Sequence, residues 1–91
     1  MRITVRLFAG HRERAGTSQV ELDVPDGVSV SDAFAILVEK YPPLADTDSF
    51  TTMARNRQVV ERSTMLSDGD ELALLQPVSG GATGRIGRQR R

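Results

Sequence analysis

The chain has no cysteine and no tryptophan, and it has a single histidine, His11. Without cysteine there are no disulfides, no thiolate metal ligands and no cysteine nucleophile. A lone histidine leaves zinc clusters and histidine-based catalytic constellations without their members, so no metal site is expected. Aromatic residues make up only 4% of the sequence (Phe8, Phe34, Tyr41 and Phe50), so the core has to be aliphatic. No apolar run approaches the roughly 18 residues of a membrane-spanning helix. Met1-Arg2 leads straight into an alternating pattern rather than into a charged and then apolar leader. A cytoplasmic protein without a membrane partner is the expectation. A chain of 91 residues buries about 60–65% of its unfolded surface, enough for one modest core and no deep cleft.

The zero net charge conceals an asymmetry. Residues 1–81 carry eight basic and twelve acidic side chains, a net of −4. Residues 82–91 carry Arg85, Arg88, Arg90 and Arg91 and no acid, a net of +4. An acidic domain with a basic tail argues against nucleic acid as the main partner.

Ile3, Val5 and Leu7 alternate with Arg2, Thr4 and Arg6, the period of a half-buried strand. Phe8 breaks that parity at the strand's end. Residues 9–18 read as a polar turn, and Gln19 to Val24 alternates again with Val20, Leu22 and Val24 inward. Pro25-Asp26-Gly27 is a turn. Ser29 is a good helix N-cap, with Asp32 three residues on. Val30, Ala33, Phe34, Leu37, Val38 and Tyr41 then share one helical face, and Pro42-Pro43 stops the helix. This predicts a helix over 30–41. Residues 44–51 read as loop. Thr52 to Arg55 and Val59 to Val60 read as short strands around a turn at Asn56. Leu66-Ser67-Asp68-Gly69-Asp70 is another tight turn, and Glu71 to Leu75 is the last strand, with Leu72 and Leu74 inward.

With one main helix, the first and last strands are free to lie side by side under it. The predicted fold is α+β, of the β-grasp (ubiquitin-like) type: a mixed four- to five-stranded sheet packed on the helix, with other small α+β sheets as rivals. The domain runs over 1–81. Residues 82–91 lack periodicity and offer Ile86 as their anchor, so a flexible basic tail is expected.

The segment Val78-Ser79-Gly80-Gly81 closes the domain. A Gly-Gly pair at a domain edge is ordinarily a linker. It also has a chemical use, because an end without side chains threads a narrow tunnel and brings a carboxylate up to a nucleotide phosphate.

The residues before that pair change the balance. Val5-Arg6-Leu7-Phe8-Ala9 with Arg12-Glu13 and Gly16, the helix entry Pro25-Asp26-Gly27-Val28-Ser29-Val30, Asn56, Leu66-Ser67-Asp68-Gly69-Asp70-Glu71-Leu72-Ala73, and Gln76-Pro77-Val78-Ser79-Gly80-Gly81 follow one another in order. Together they resemble the MoaD/ThiS family of ubiquitin-like sulfur carriers, most closely its MoaD branch, over residues 2–81. The resemblance implies a carrier without turnover of its own. An E1-like (MoeB-like) adenylating enzyme, using ATP and magnesium, would activate Gly81, with Gly80, Ser79 and Val78 threading its tunnel. A sulfurtransferase would then replace AMP with sulfur. The Gly81 thiocarboxylate would donate that sulfur inside a large synthase subunit (MoaE-like), in molybdopterin biosynthesis. No cofactor would be bound stably by the carrier itself. Phe8, Val59 and Leu75 would lie on the sheet surface where these partners dock.

The chain departs from the family at its end, where Gly81 is followed by Ala82 and nine further residues. The resemblance implies that a metallopeptidase trims residues 82–91. The alternatives are a changed role or a tail foreign to the natural chain. Gln76, where the family has proline, is a mild departure. Within the family, thiamin, cysteine, transfer-RNA bases and secondary metabolites are other destinations for the sulfur. A ubiquitin-like modifier joined to lysines through Gly81, and a plain binding module with a Gly-Gly hinge, are the rival classes.

Two other groups of residues invite function and are better read as structure. His11, among charged neighbours, is expected to be a solvated loop histidine. Asp68, Asp70 and Glu71 suggest turn formation and capping, because a calcium ion needs at least about six oxygens.

Overall fold

The computed structural model describes residues 1–76. The expectations for Val78, Ser79, Gly80 and Gly81, the boundary after 81 and the tail lie outside the described residues.

Five strands and two α-helices are joined by one 3₁₀ helix. Strand β1 (Arg2–Leu7) is followed by α1 (Ala9–Ala15), β2 (Gln19–Asp23), α2 (Val30–Lys40) and a 3₁₀ helix (Pro42–Phe50). Strands β3 (Thr52–Arg55), β4 (Gln58–Val59) and β5 (Glu71–Leu75) complete the elements of the described residues. The sheet order is β2-β1-β5-β3-β4. β1 and β5 run parallel, with Val5 opposite Leu72 and Leu7 opposite Leu74. The other pairs are antiparallel. This is the expected β-grasp, with the first and last strands side by side at the centre of the sheet.

The alternation rule decides which side chains are inward. Ile3, Val5, Leu7, Leu72 and Leu74 are buried and meet Val30, Ala33, Phe34 and Leu37 of α2 in one aliphatic core. Each of these side chains other than Ala33 contributes roughly 1.5–3 kcal/mol on burial. Helix α2 starts where expected: Ser29 Oγ accepts from the Asp32 amide at 3.1 Å. Two further amides of its first turn are met from a distant loop, Val30 donating to the Thr64 carbonyl and Ser31 to that of Arg62. The helix ends at Lys40, with Tyr41 as its C-cap.

Two stretches differ from expectation. The polar turn over 9–18 contains α1, which ends on Gly16 in the left-handed conformation (φ 77°). The loop over 44–51 is mostly the 3₁₀ helix, whose Leu44 and Thr47, three residues apart, are buried. That spacing matches the three-residue turn of a 3₁₀ helix. The second short strand falls at Gln58–Val59 rather than 59–60, and the second strand stops at Asp23. Among the described residues, no helix is long and apolar enough to cross a membrane, and no group of three or more His, Asp or Glu side chains could hold a metal ion.

Candidate functional site

The outer face of the sheet, away from α2, is set by register. On β1, the outward side chains are Arg2, Thr4 and Arg6. On β5 they are Glu71, Ala73 and Leu75, because Arg6 lies opposite Ala73 and Thr4 opposite Glu71. On β3, Thr52 lies opposite Leu75 and Ala54 opposite Ala73, and Ala54 in turn lies opposite Val59 of β4. An apolar band therefore crosses β5, β3 and β4 through Leu75, Ala73, Ala54 and Val59.

Phe8 extends this band beyond β1. It is 40% exposed, and the Arg6 guanidinium lies over its ring at 5.8 Å, which places both on the same face. Val59 is 70% exposed, while Val60 packs against the core. Leu75 is half-buried and faces outward, between buried Leu74 and exposed Gln76. The structure thus brings Phe8, Leu75 and Val59 to one face, and Leu75 stands six residues before Gly81 along the chain.

Charges bound the band at one side. Arg6 pairs with Glu71 at 3.4 Å, both partly buried, and Arg2 pairs with Asp23 at 3.0 Å in full solvent. The Arg2 hydrogen bond and charge hold the Asp23 carboxyl below its ordinary range. The acidic turn behaves as a turn. Asp68 Oδ1 accepts from the Arg2 amide at 2.9 Å, and Asp70 Oδ2 accepts from the Ser67 amide at 2.8 Å. A cavity of about 280 Å³ lined by Ser31, Phe34, Ala35, Val38, Ala45 and Asp48 lies on the helical side, away from this face and from the end of β5.

His11 is not a solvated loop histidine. It is fully buried on the inner side of α1, its Nε2 lies 2.9 Å from Thr51 Oγ1, and its ring stands 6.2 Å from that of Phe50. The partner lies 40 residues away and carries no local signal. His11 and Ala15, four residues apart and both turned inward, are the one trace of helical period in that stretch.

A β-grasp domain whose central strand is followed in sequence by Gly80-Gly81, with an apolar face beside that strand, is a domain of the ubiquitin-like class. The family model of the ThiS family matches residues 5–81, and the chain belongs to that family of ubiquitin-like sulfur carriers. It is similar to the molybdopterin synthase sulfur carrier subunit of Arabidopsis thaliana, 35% identical over 79 residues, 87% of this chain and 82% of that one. The subunit of the same name from Mycobacterium tuberculosis is 35% identical over 82 residues, 89% of this chain and 99% of that one. Among solved structures, small archaeal modifier protein 1 of Haloferax volcanii is 34% identical, with a TM-score of 0.79 over 89% of this chain and 100% of that chain.

Proposed function

We propose that this chain carries sulfur as a thiocarboxylate on Gly81 and delivers it in molybdopterin synthesis. The observation that carries the reading is the likeness to molybdopterin synthase sulfur carrier subunits over nearly the whole chain, joined to a central strand that leads into Val78-Ser79-Gly80-Gly81. The chain itself is the substrate of the chemistry and turns nothing over.

Removal of 82–91, by a metallopeptidase, frees the Gly81 carboxylate. One carboxylate oxygen attacks the α-phosphorus of ATP in the adenylating enzyme, and pyrophosphate leaves. Sulfide delivered through a sulfurtransferase then attacks the acyl carbon, and AMP leaves. Magnesium and ATP belong to the activating enzyme. The face of Phe8, Leu75 and Val59 docks first on that enzyme and then on the large synthase subunit, and the side-chain-free Gly80 passes through the narrow entrance.

The test is the intact mass of the form ending at Gly81, after incubation with ATP, an activating enzyme and a sulfur donor. The mass should rise by the difference between a sulfur and an oxygen atom. No change with any activating partner overturns the reading. The likeness to an archaeal modifier protein supports a second reading, an isopeptide bond from Gly81 to lysines of other proteins. Conjugates that survive thiol reductant, in cells expressing the chain, would favour it.

A further inference from the structure

His11 plays no part in the function proposed above, yet it is the most completely buried titratable side chain among the described residues. Its hydrogen bonding fixes its state. Thr51 Oγ1 donates its own hydrogen to the Thr47 carbonyl, so it can only accept from the ring. His11 is therefore protonated at Nε2, and Nδ1 is a bare acceptor, buried and without a partner. The ring is a pin between α1 and the start of β3, with the 3₁₀ helix beside it.

The same short helix is a shelf for the end of β5. Gly10, next to His11, faces the side chain of Gln76: a Cβ at position 10 would stand 2.7 Å from Gln76 Nε2. Gln76 is the first residue past the sheet and the root of the segment that ends in Gly-Gly. Two neighbouring residues of one turn thus hold, on one side, the 3₁₀ helix and β3 and, on the other, the exit of the C-terminal segment.

We propose that His11 is a positioning residue: its neutral ring pins α1 in place, and α1, through Gly10 against the Gln76 side chain, sets the placement of Gln76. The proposal rests on the sulfur-carrier reading for its consequence, and on geometry alone for its mechanism. A proton on Nδ1 would put a charge in a fully buried place, beside a helix that already carries Arg12 and Arg14, with the Phe8 carbonyl as the acceptor that favours it. Burial holds the imidazole below its ordinary pKa, and the Arg14 charge adds to this. The Phe8 carbonyl favours the charged form and is outweighed. The other charged groups on neighbouring elements are Glu13 on α1, Arg2 and Arg6 on β1, Arg55 on β3, Glu71 on β5, and Asp46 and Asp48 on the 3₁₀ helix, with Arg2 paired to Asp23, Arg6 to Glu71 and Asp48 to Arg62. Protonation leaves the Nε2–H bond to Thr51 in place, so acid loosens the pin through the cost of a buried charge, and Gln76 with it.

The first test is an amide NMR titration of the full 91-residue chain between about pH 5 and 8, the range in which histidine titrates. The signals of Gly10, Thr51 and Gln76 should shift together with the imidazole, with one midpoint below 6.5. In His11→Val, or in His11→Gln should the valine variant not fold, all three should stay still. A Gln76 signal that ignores the His11 titration, or that moves unchanged in the variants, overturns the proposal.

The second test is ATP–pyrophosphate exchange on the form ending at Gly81, normalised to the variant measured with the same enzyme. One pH unit below the midpoint about a tenth of the rings are neutral, so exchange should fall about tenfold relative to the variant. Superimposable profiles overturn the proposal. Complete absence of exchange strikes the sulfur-carrier reading instead, and the titration still decides the pin.

Discussion

Asn56 and Asp70 are joined side chain to side chain, Asn56 Nδ2 donating to Asp70 Oδ1 at 3.0 Å. The same amide group turns its oxygen to the Glu71 backbone N–H at 2.9 Å, and the Asn56 backbone N–H donates to the Glu71 carbonyl. Asn56 sits at φ 50°, in the left-handed region that asparagine tolerates. One residue therefore makes the β3–β4 turn and ties it to the head of β5. Asn56→Ala should cost about 1–3 kcal/mol, for two lost side-chain bonds and an unfavourable φ. Asn56→Gly, which relieves the φ but not the bonds, should fall between. Urea unfolding of the three proteins measures both parts.

Asp70 makes stability depend on acid. Burial raises its pKa, but the hydrogen bonds from Asn56 and the Ser67 backbone, with the Arg55 charge, outweigh this and leave it below 3.8. The unfolded chain then takes up this proton more readily than the folded one. The contribution is present above the ordinary carboxyl pKa and disappears as pH falls through the lowered one. The urea midpoint should drop on acidification below about pH 4, and Asp70→Asn should flatten that drop.

Leu74 and Leu75 are neighbours with opposite tasks. Leu74 is fully buried, so Leu74→Ala should cost about 2–5 kcal/mol. Leu75 faces the outer band, so Leu75→Asp should leave the melting temperature within a few degrees and abolish activation by the partner enzyme. Thermal melts paired with pyrophosphate exchange separate the two. A Leu75→Asp protein that is stable and fully activated would remove this face from the docking surface.

Arg62 locks the 3₁₀ helix to the rest of the molecule. Its guanidinium bonds to Asp48 Oδ1 and to the carbonyls of Asp48 and Thr51, and lies 5.9 Å from the Phe34 ring centre. An exposed ion pair alone is worth little, but a planar fork reaching two carbonyls cannot be copied by lysine. Arg62→Lys should therefore lose nearly as much stability as Arg62→Ala, and hydrogen exchange should quicken at the amides of 44–51 in both. Full rescue by lysine would mean that charge, not the fork, is what matters.

The peptide bond after Gly81 predicts a sharp difference between two lengths of chain. An amide carbonyl bears no charge and is a poor nucleophile toward phosphorus. The 91-residue form should show no pyrophosphate exchange, whereas the form ending at Gly81 should. Equal rates, with mass spectrometry showing no cleavage, would mean that the tail is no obstacle.

The strands and α2 were legible because their burial follows periods of two and 3.6, and Ser29 and Pro42 mark the helix ends. Outward Phe8 and Leu75 were legible too, since a residue off the inward parity has to face the other way; that rule does not choose between Val59 and Val60. Helix α1 was not: Ala9-Gly10-His11-Arg12-Glu13-Arg14-Ala15 offers no apolar stripe, and its inward contact is a polar one with Thr51. The 3₁₀ helix escaped for a related reason. Asp46, Thr47, Asp48 and Ser49 are loop formers, held in a helical course by the bonds from Arg62, by the Thr47 and Thr51 hydroxyls donating to the Leu44 and Thr47 carbonyls, and by the burial of Leu44 and Thr47.

The parallel pairing of β1 and β5 also has a mechanical meaning. The N-terminus enters the sheet at one end of this ladder, and β5 ends at the other. Any pull on the C-terminal segment against the N-terminus, by a peptidase drawing in the tail or an enzyme holding the Gly-Gly end, acts along the ladder rather than across it. The rungs between Thr4–Leu7 and Glu71–Leu74 then share the load at once, in shear, instead of opening one after another. The end of this protein can be tugged hard without the domain coming apart.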